Sequence, residues 1–106
     1  MAAKYRFVEK GDTINIELTG DEDAGTPLLV GDKLVVTNET GKTGDIVSAA
    51  AVGVFELPCT STAIAQGDRL EWSGSSLKAY AAGEDYHAVA WEDSPSTATT
   101  VIAKLV

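Results

Sequence analysis

The residues of this chain that could do chemistry are few and scattered. His87 is the only histidine and Cys59 the only cysteine, which excludes a two-histidine metal site and an intrachain disulfide. A Ser-His-Asp arrangement remains compatible with the residue counts, but the chain contains no Gly-x-Ser-x-Gly nucleophile turn. A domain this small also leaves little concavity for a substrate. We therefore predict no enzyme and no catalytic residue, and expect Cys59 to be an inert, partly buried thiol.

One tripeptide superficially matches a phosphate-binding loop. Residues 41–43 are Gly-Lys-Thr, but the motif needs a second glycine five positions earlier, where this chain has Val36. The motif also needs a helix directly after the lysine, whereas Gly44 and Asp45 follow here and favour a turn. We predict no nucleotide site and no cofactor.

An acidic run, Asp21-Glu22-Asp23, raises the question of calcium. An EF-hand loop starting there would need glycine at position 26 and glutamate at position 32, which are Thr26 and Asp32. The run is more typical of a solvated hairpin tip, and we predict no metal site. Trp72 and Trp91 lie in β-like segments, where packing in a core or subunit interface is the expected role.

Composition places the chain among soluble single-domain proteins. Its 106 residues are 44% hydrophobic and 23% charged, which suits one domain with one modest core. Eight Lys and Arg residues face 16 Asp and Glu residues, a net charge of −8, and such a balance argues against nucleic-acid binding. No apolar stretch approaches the ~20 residues that span a bilayer, and the first residues do not resemble a secretory signal.

The apolar residues alternate with polar ones along most of the chain. Ile14, Ile16 and Leu18 follow this period of two, as do Val101, Ala103 and Leu105 near the other end, and the pattern predicts half-buried strands. Further short strands are expected around residues 28–30, 34–36, 52–57, 70–72 and 88–91. Helix is scarce: residues 60–66 could form one turn, and residues 45–51 are equally compatible with a helix or a strand.

Turn signals separate these strands at short intervals. Four Gly-Asp pairs, at 11–12, 31–32, 44–45 and 67–68, directly precede apolar runs, and each predicts a turn that leads into a strand. The spacing favours an all-β fold, a small β-barrel or β-sandwich of short antiparallel strands. We assign residues 11–106 to one β domain and residues 1–10 to an N-terminal arm or an edge strand.

A specific resemblance covers nearly the whole chain. Residues 53–58 (Gly-Val-Phe-Glu-Leu-Pro) and 63–72 (Ala-Ile-Ala-Gln-Gly-Asp-Arg-Leu-Glu-Trp) resemble the core motif of the phage capsid cement, or decoration, protein family. Residues 7–14 are similar to the family's opening, and residues 88–93 and 99–105 to its closing strands. The family has often been labelled as phage recombinases, a label that the missing phosphate loop and the acidic charge of this chain argue against.

The resemblance implies a protein that binds the outside of an assembled capsid shell and reinforces it. The partner would be the major capsid protein, the assembly state a homotrimer, and the location the virion exterior after assembly in the host cytoplasm. We hypothesise that Lys4, Tyr5, Arg6 and Phe7 contact the shell, because basic and aromatic residues concentrate there. An ordinary edge strand is the alternative for this segment.

A second hypothesis concerns the contacts between subunits. The closing strand is apolar on both faces, and we expect Val101, Ile102 and Leu105 to contribute to the trimer interface. Two other functions stay open. The first is a small carbohydrate-type ligand-binding β-module of a phage structural protein, with an exposed tryptophan as its platform. The second is an enzyme, which would need a pocket around His87.

Overall fold

The computed structural model describes residues 11–80 and 86–106, and in these two stretches it contains nine strands and no helix. The predicted all-β class is confirmed. The strands are β1 (Thr13–Glu17), β2 (Pro27–Val30), β3 (Lys33–Thr37), β4 (Ile46–Ala50), β5 (Val54–Pro58), β6 (Arg69–Trp72), β7 (Leu77–Ala79), β8 (Ala88–Ala90) and β9 (Thr100–Leu105).

The strands form two antiparallel sheets. The first has four strands in the order β1-β4-β3-β2, and the second has five in the order β5-β9-β8-β6-β7. The five-stranded sheet curls until its two edge strands, β5 and β7, approach each other. The approach is shown by an isolated β-bridge between Cys59, just after β5, and Leu77 of β7. Curling puts one face of each strand inside, so alternate residues become core.

The interior of the five-stranded sheet is the larger of two apolar clusters. It is filled by Leu57, Cys59, Ile64, Leu70, Trp72, Leu77, Ala88, Ala90, Val101, Ala103 and Leu105. Leu34 and Val36 of β3 join this cluster from the other sheet. Their neighbour Val35 faces the opposite way into the smaller cluster, which contains Ile16, Leu18, Val47 and Ala49, with Leu28 packed against it. Both faces of β3 are therefore buried.

The Gly-Asp pairs do what their chemistry predicts. Gly11, Gly31, Gly44 and Gly67 all have positive φ, between 60° and 90°, and each pair leads directly into a strand, respectively β1, β3, β4 and β6. Glycine occupies this region of φ at low steric cost. The structure also settles the ambiguous segments: residues 46–50 are a strand, and residues 60–66 contain no helical turn. Strand β7 was not predicted.

A hydrogen-bonded turn recurs in the two halves of the chain. In the first copy, Lys42 N–H donates to Asp45 Oδ2 (2.9 Å), and Thr43 N–H donates to Asp21 Oδ1 (3.0 Å). In the second copy, Ala65 N–H donates to Asp68 Oδ2 (2.9 Å), and Gln66 N–H donates to Asp93 Oδ1 (2.7 Å).

Strand pairing follows the same duplication. Antiparallel β1 and β4 pair Glu17 with Ile46, and at the equivalent positions β8 and β6 pair Val89 with Arg69. The β2–β3 pair has its counterpart in β9–β5. Strands β1–β4 and β5–β9 thus form two related units, and β7 is an addition in the second unit.

Candidate docking surface

The outward face of the five-stranded sheet carries an apolar patch with a cation on it. We call the patch of Val54, Val89, Trp91, Ile102 and Lys104 the Trp91 face. The sheet register assembles it, because Lys104 of β9 lies between Val54 of β5 and Val89 of β8. Trp91 N–H donates to the Ile102 carbonyl oxygen at 2.8 Å, which holds the tryptophan beside β9.

Exposure distinguishes this patch from the rest of the sheet. Trp91 is 48% exposed and Val54 is 44% exposed, whereas Ile102 and Val89 are half-buried. The Lys104 ammonium group lies 5.6 Å from the centroid of the Trp91 ring, within the range of a cation–π interaction. The lysine thus lies over the tryptophan ring while much of the ring stays open to solvent.

A second cation–aromatic cluster continues the surface across β8. Arg69 pairs with Val89 in the sheet, so its side chain lies on the same face. Its guanidinium carbon is 4.9 Å from the ring centroid of Tyr86 and 6.0 Å from that of Tyr80. The two tyrosine rings contact each other edge to face, with centroids 5.5 Å apart. Three aromatic rings and two cations thus share one side of the molecule.

This arrangement suits contact with another protein. Trp, Tyr and Arg are the residue types that contribute most binding energy in protein interfaces, and each presents apolar area together with a polar group. The surface is a sheet face rather than a pocket, so it can contact a broad area of a partner protein. Its cations also stand out on a chain of net charge −8, which favours an acidic or neutral partner surface.

The residues predicted for the subunit interface divide between the two faces of β9. Val101 and Leu105 are 2% and 1% exposed and belong to the core of the five-stranded sheet. Ile102 points outward in the Trp91 face. Of the three predicted residues, we therefore keep Ile102, with its outward neighbours, as the candidate for the contact between protomers. Lys4, Tyr5, Arg6 and Phe7 lie outside the described residues.

The remaining candidate residues have structural roles. Trp72 is buried in the core at 8% exposure, in contrast to Trp91. His87 is buried next to it, and its Nδ1 accepts the Trp72 backbone N–H at 2.9 Å. The Cys59 thiol is buried. Partial burial lowers the pKa of the Lys33 ammonium group from its ordinary value.

The two loops that suggested ligands are occupied by their own contacts. The Lys42 and Thr43 amides, which would bind phosphate in a nucleotide loop, donate instead to Asp45 and Asp21. The acidic run is thus partly used as an internal acceptor. In the described residues, no three His, Cys, Asp or Glu side chains are grouped to hold a metal ion. Residues 11–80 and 86–106 also contain no helix that could span a membrane.

Comparison with protein families identifies a relationship that covers most of the chain. A family model described as phage cement protein matches residues 8–105, which is nearly the whole chain and the extent of the resemblance noted in the sequence. No curated protein and no solved structure matches the chain significantly.

Proposed function

The chain belongs to the phage cement protein family, and from this premise we propose that it binds the outer surface of an assembled capsid shell through the Trp91 face and stabilises the shell. The observation that carries the choice of surface is the 48% exposure of Trp91 among half-buried apolar neighbours. Aromatic residues held by a rigid sheet bind with little loss of side-chain entropy. The proposed partner is the major capsid protein.

Binding to the assembled shell is by itself sufficient to strengthen the shell. A ligand that binds only the assembled state stabilises that state by mass action, by about 2.7 kcal/mol at a concentration 100 times its Kd. A protomer or oligomer that bridges neighbouring shell subunits gains further, because each contact after the first is intramolecular. In this proposal the protein is made in the host cytoplasm and ends on the virion exterior.

The direct test adds the purified protein to shells that lack it. We expect the protein to bind and to raise the temperature at which the shells disassemble. Trp91→Ala should weaken binding about 30-fold, the equivalent of about 2 kcal/mol for an interface hot spot. Ile46→Ala is the matched control, because Ile46 is 65% exposed on the other sheet. Equal binding by both variants would remove the Trp91 face from the proposal.

We also propose a homotrimer in which Ile102, on the side of the Trp91 face toward β5, contributes to the contact between protomers, while Trp91 on the other side of β9 stays available to the shell. Ile102 is half-buried between Glu56 of β5 and the Trp91 ring side of the sheet, and a second protomer would complete its burial. Sedimentation of the free protein should give three times the protomer mass, and a denaturing gel of protein crosslinked on the shells before they are dissociated should give the same mass. Ile102→Glu should dissociate the trimer. Monomers in both samples would contradict the proposal.

Lys4, Tyr5, Arg6 and Phe7 are a second candidate for the shell contact. If they act as a free arm, deletion of residues 2–7 abolishes binding to shells and leaves the thermal unfolding midpoint unchanged. Unchanged occupancy of the shells after the deletion would rule this contact out. A lowered midpoint would place the segment within the folded domain instead.

One observation favours a different function, a carbohydrate-type binding module. Such modules stack sugar rings on an exposed aromatic side chain, and Trp91 is exposed enough to do so. The two functions separate by fluorescence quenching. Shell binding should protect Trp91 from iodide, whereas oligosaccharides should leave its emission unchanged. Saturable protection by an oligosaccharide, lost in Trp91→Ala, would support the module.

A further inference from the structure

Two cations on the outward face of the five-stranded sheet lie in one row across its strands. The register places Lys104 of β9 beside Val89 of β8, and Val89 beside Arg69 of β6. Neighbouring strands are about 4.8 Å apart, so the Lys104 and Arg69 backbones, two strands apart, are separated by about 10 Å. Both side chains are exposed. The row therefore presents two positive charges with an apolar side chain between them.

These two cations differ in their surroundings from the third cation of the same face. Residues 11–80 and 86–106 contain five Lys or Arg side chains, and three of them, Arg69, Lys78 and Lys104, lie on this face. The Lys78 ammonium group lies 3.6 Å from a carboxylate oxygen of Glu71, which balances its charge. Lys104 and Arg69 instead lie over aromatic rings, Lys104 over that of Trp91. The row is thus positive on a chain of net charge −8.

A contact that covers the Trp91 ring also covers the Lys104 charge. The ammonium group lies 5.6 Å from the ring centroid, and the Lys104 backbone lies beside Val89 in the sheet. Burying an ammonium group without an anionic partner is strongly unfavourable, and the cation–π interaction offsets only part of that cost. A neutral apolar partner would therefore bind this face poorly, whereas a partner that supplies an anion would bind it well.

We propose that the Trp91 face and Arg69 recognise a protein surface of the shell that carries carboxylate side chains, an inference that rests on the proposed function. One carboxylate lies opposite Lys104 and a second lies opposite Arg69, with apolar area between them to cover Val89. A carboxylate forms a charge-assisted hydrogen bond with a lysine and can form a bidentate pair with an arginine. The row sets the separation of the two carboxylates at about 10 Å.

The remaining charges of the chain select the orientation of the protein on such a surface. Residues 11–50, which contain the four-stranded sheet, include eight Asp or Glu residues and two Lys residues, so an acidic surface repels this unit. The exposed Glu56 carboxylate of β5 lies beside Ile102, on the side given to the contact between protomers. A nucleic acid presents a continuous line of phosphates that the net charge of −8 repels, which favours a local group of carboxylates on a protein.

Charge reversal on both sheets tests the inference with purified shells at physiological ionic strength. Lys104→Glu and Arg69→Glu should each weaken binding at least about 10-fold, because repulsion replaces attraction at the contact. Lys42→Glu is the matched control, because it makes the same change in net charge at an exposed site of the first unit. It should change binding less than about 2-fold, since salt screens charges that lie far from the contact. Equal weakening by all three reversals would reduce the effect to net charge and overturn the inference.

The outcomes separate this inference from the proposed function. If Trp91→Ala weakens binding to shells and the reversals at Lys104 and Arg69 do not, the Trp91 face is the contact but its partner is not acidic. That result overturns the inference and leaves the proposed function standing. Failure of the unmodified protein to bind shells overturns both. Binding of duplex DNA that is lost in Lys104→Glu, or a smaller sedimenting mass of this variant with unchanged shell binding, would assign the face to phosphates or to a second copy instead.

Fluorescence quenching measures the charge at this face without shells. Trp91 is exposed and Trp72 is buried, so soluble quenchers reach Trp91. At low salt we expect the iodide anion to quench Trp91 more strongly than the caesium cation, although the net charge of the chain is −8. Lys104→Glu should reverse this order, and Lys42→Glu should leave it unchanged. Stronger quenching by caesium in the unmodified protein would show that the face is not positive and would overturn the inference.

Discussion

At the scale of single residues, His87 shows how a side chain suited to catalysis serves the fold. It is 8% exposed, its backbone N–H donates to the Leu70 carbonyl at 2.8 Å, and its carbonyl accepts from Val106 N–H at 3.2 Å. Its Nδ1 accepts from Trp72 N–H, which requires that nitrogen to carry no proton. The ring is thereby held between β6 and β8 as the acceptor of a backbone hydrogen bond.

Replacing this ring should cost stability rather than activity. His87→Ala leaves the Trp72 amide without its acceptor in the core, and an unsatisfied buried donor costs about 1–3 kcal/mol. Urea unfolding followed by Trp72 fluorescence measures the loss, while binding to shells at low temperature should stay unchanged. Ile46→Ala, at a site that is 65% exposed on the other sheet, is the control. Full stability of His87→Ala would show that the hydrogen bond is dispensable.

The residue pattern predicted which side chains alternate, but not which face is inside. Residues 88–91 are Ala-Val-Ala-Trp, and the structure buries the two small alanines and exposes the tryptophan. The closing strand posed the same problem, since Val101 and Leu105 are as apolar as Ile102. Curvature decides the outcome, because a tightly curled sheet has room for alanine inside at some positions and not for an indole. That information lies in the three-dimensional packing and not in the period.

At the scale of elements, the recurring Gly-Asp turn explains why the strands were largely predictable. Its glycine φ and the Asp45 or Asp68 carboxylate act within three residues of chain, so a local pattern suffices to place the start of β4 and β6. The other acceptors, Asp21 and Asp93, come from 22 and 27 residues away. These long-range hydrogen bonds depend on how distant strands pair, which a short sequence motif does not predict. The same holds for strand β7 and for the duplication.

Gly41 and Ile64 occupy equivalent positions in the turns of the first and second units, where each forms an isolated β-bridge. A Cβ at Gly41 would lie 2.9 Å from Leu18 Cδ1 and 3.0 Å from Val47 Cγ1, and overpacking of this kind costs about 1–3 kcal/mol. Gly41→Ala should lower the free energy of unfolding by that amount in urea titrations. Gly20→Ala, which would meet no atom within 4 Å, should change it by less than about 0.5 kcal/mol. Equal effects would refute the packing argument.

At the scale of the whole molecule, the two units are joined through one strand. Leu34 and Val36 project from β3 into the core of the five-stranded sheet, while Val35 projects into the cluster of its own sheet. A strand buried on both faces explains the continuous apolar run Leu-Val-Val at residues 34–36. The two cores are thus separated by the thickness of a single strand, and loosening one removes a wall of the other.

This shared wall predicts that the protein unfolds as one cooperative body despite its duplicated architecture. Leu34→Ala should cost about 2–5 kcal/mol, the usual range for a buried leucine, and it should destabilise both units equally. Trp72 fluorescence reports on the second unit, and amide exchange of β1 and β4 reports on the first. Their unfolding midpoints should coincide before and after the substitution, whereas Ile46→Ala, at an exposed site of the first unit, should move neither. If β1 and β4 stayed protected from amide exchange while the Trp72 signal was lost, the two units would be independent domains. The Trp91 face would then not be rigidly connected to the four-stranded sheet on the shell.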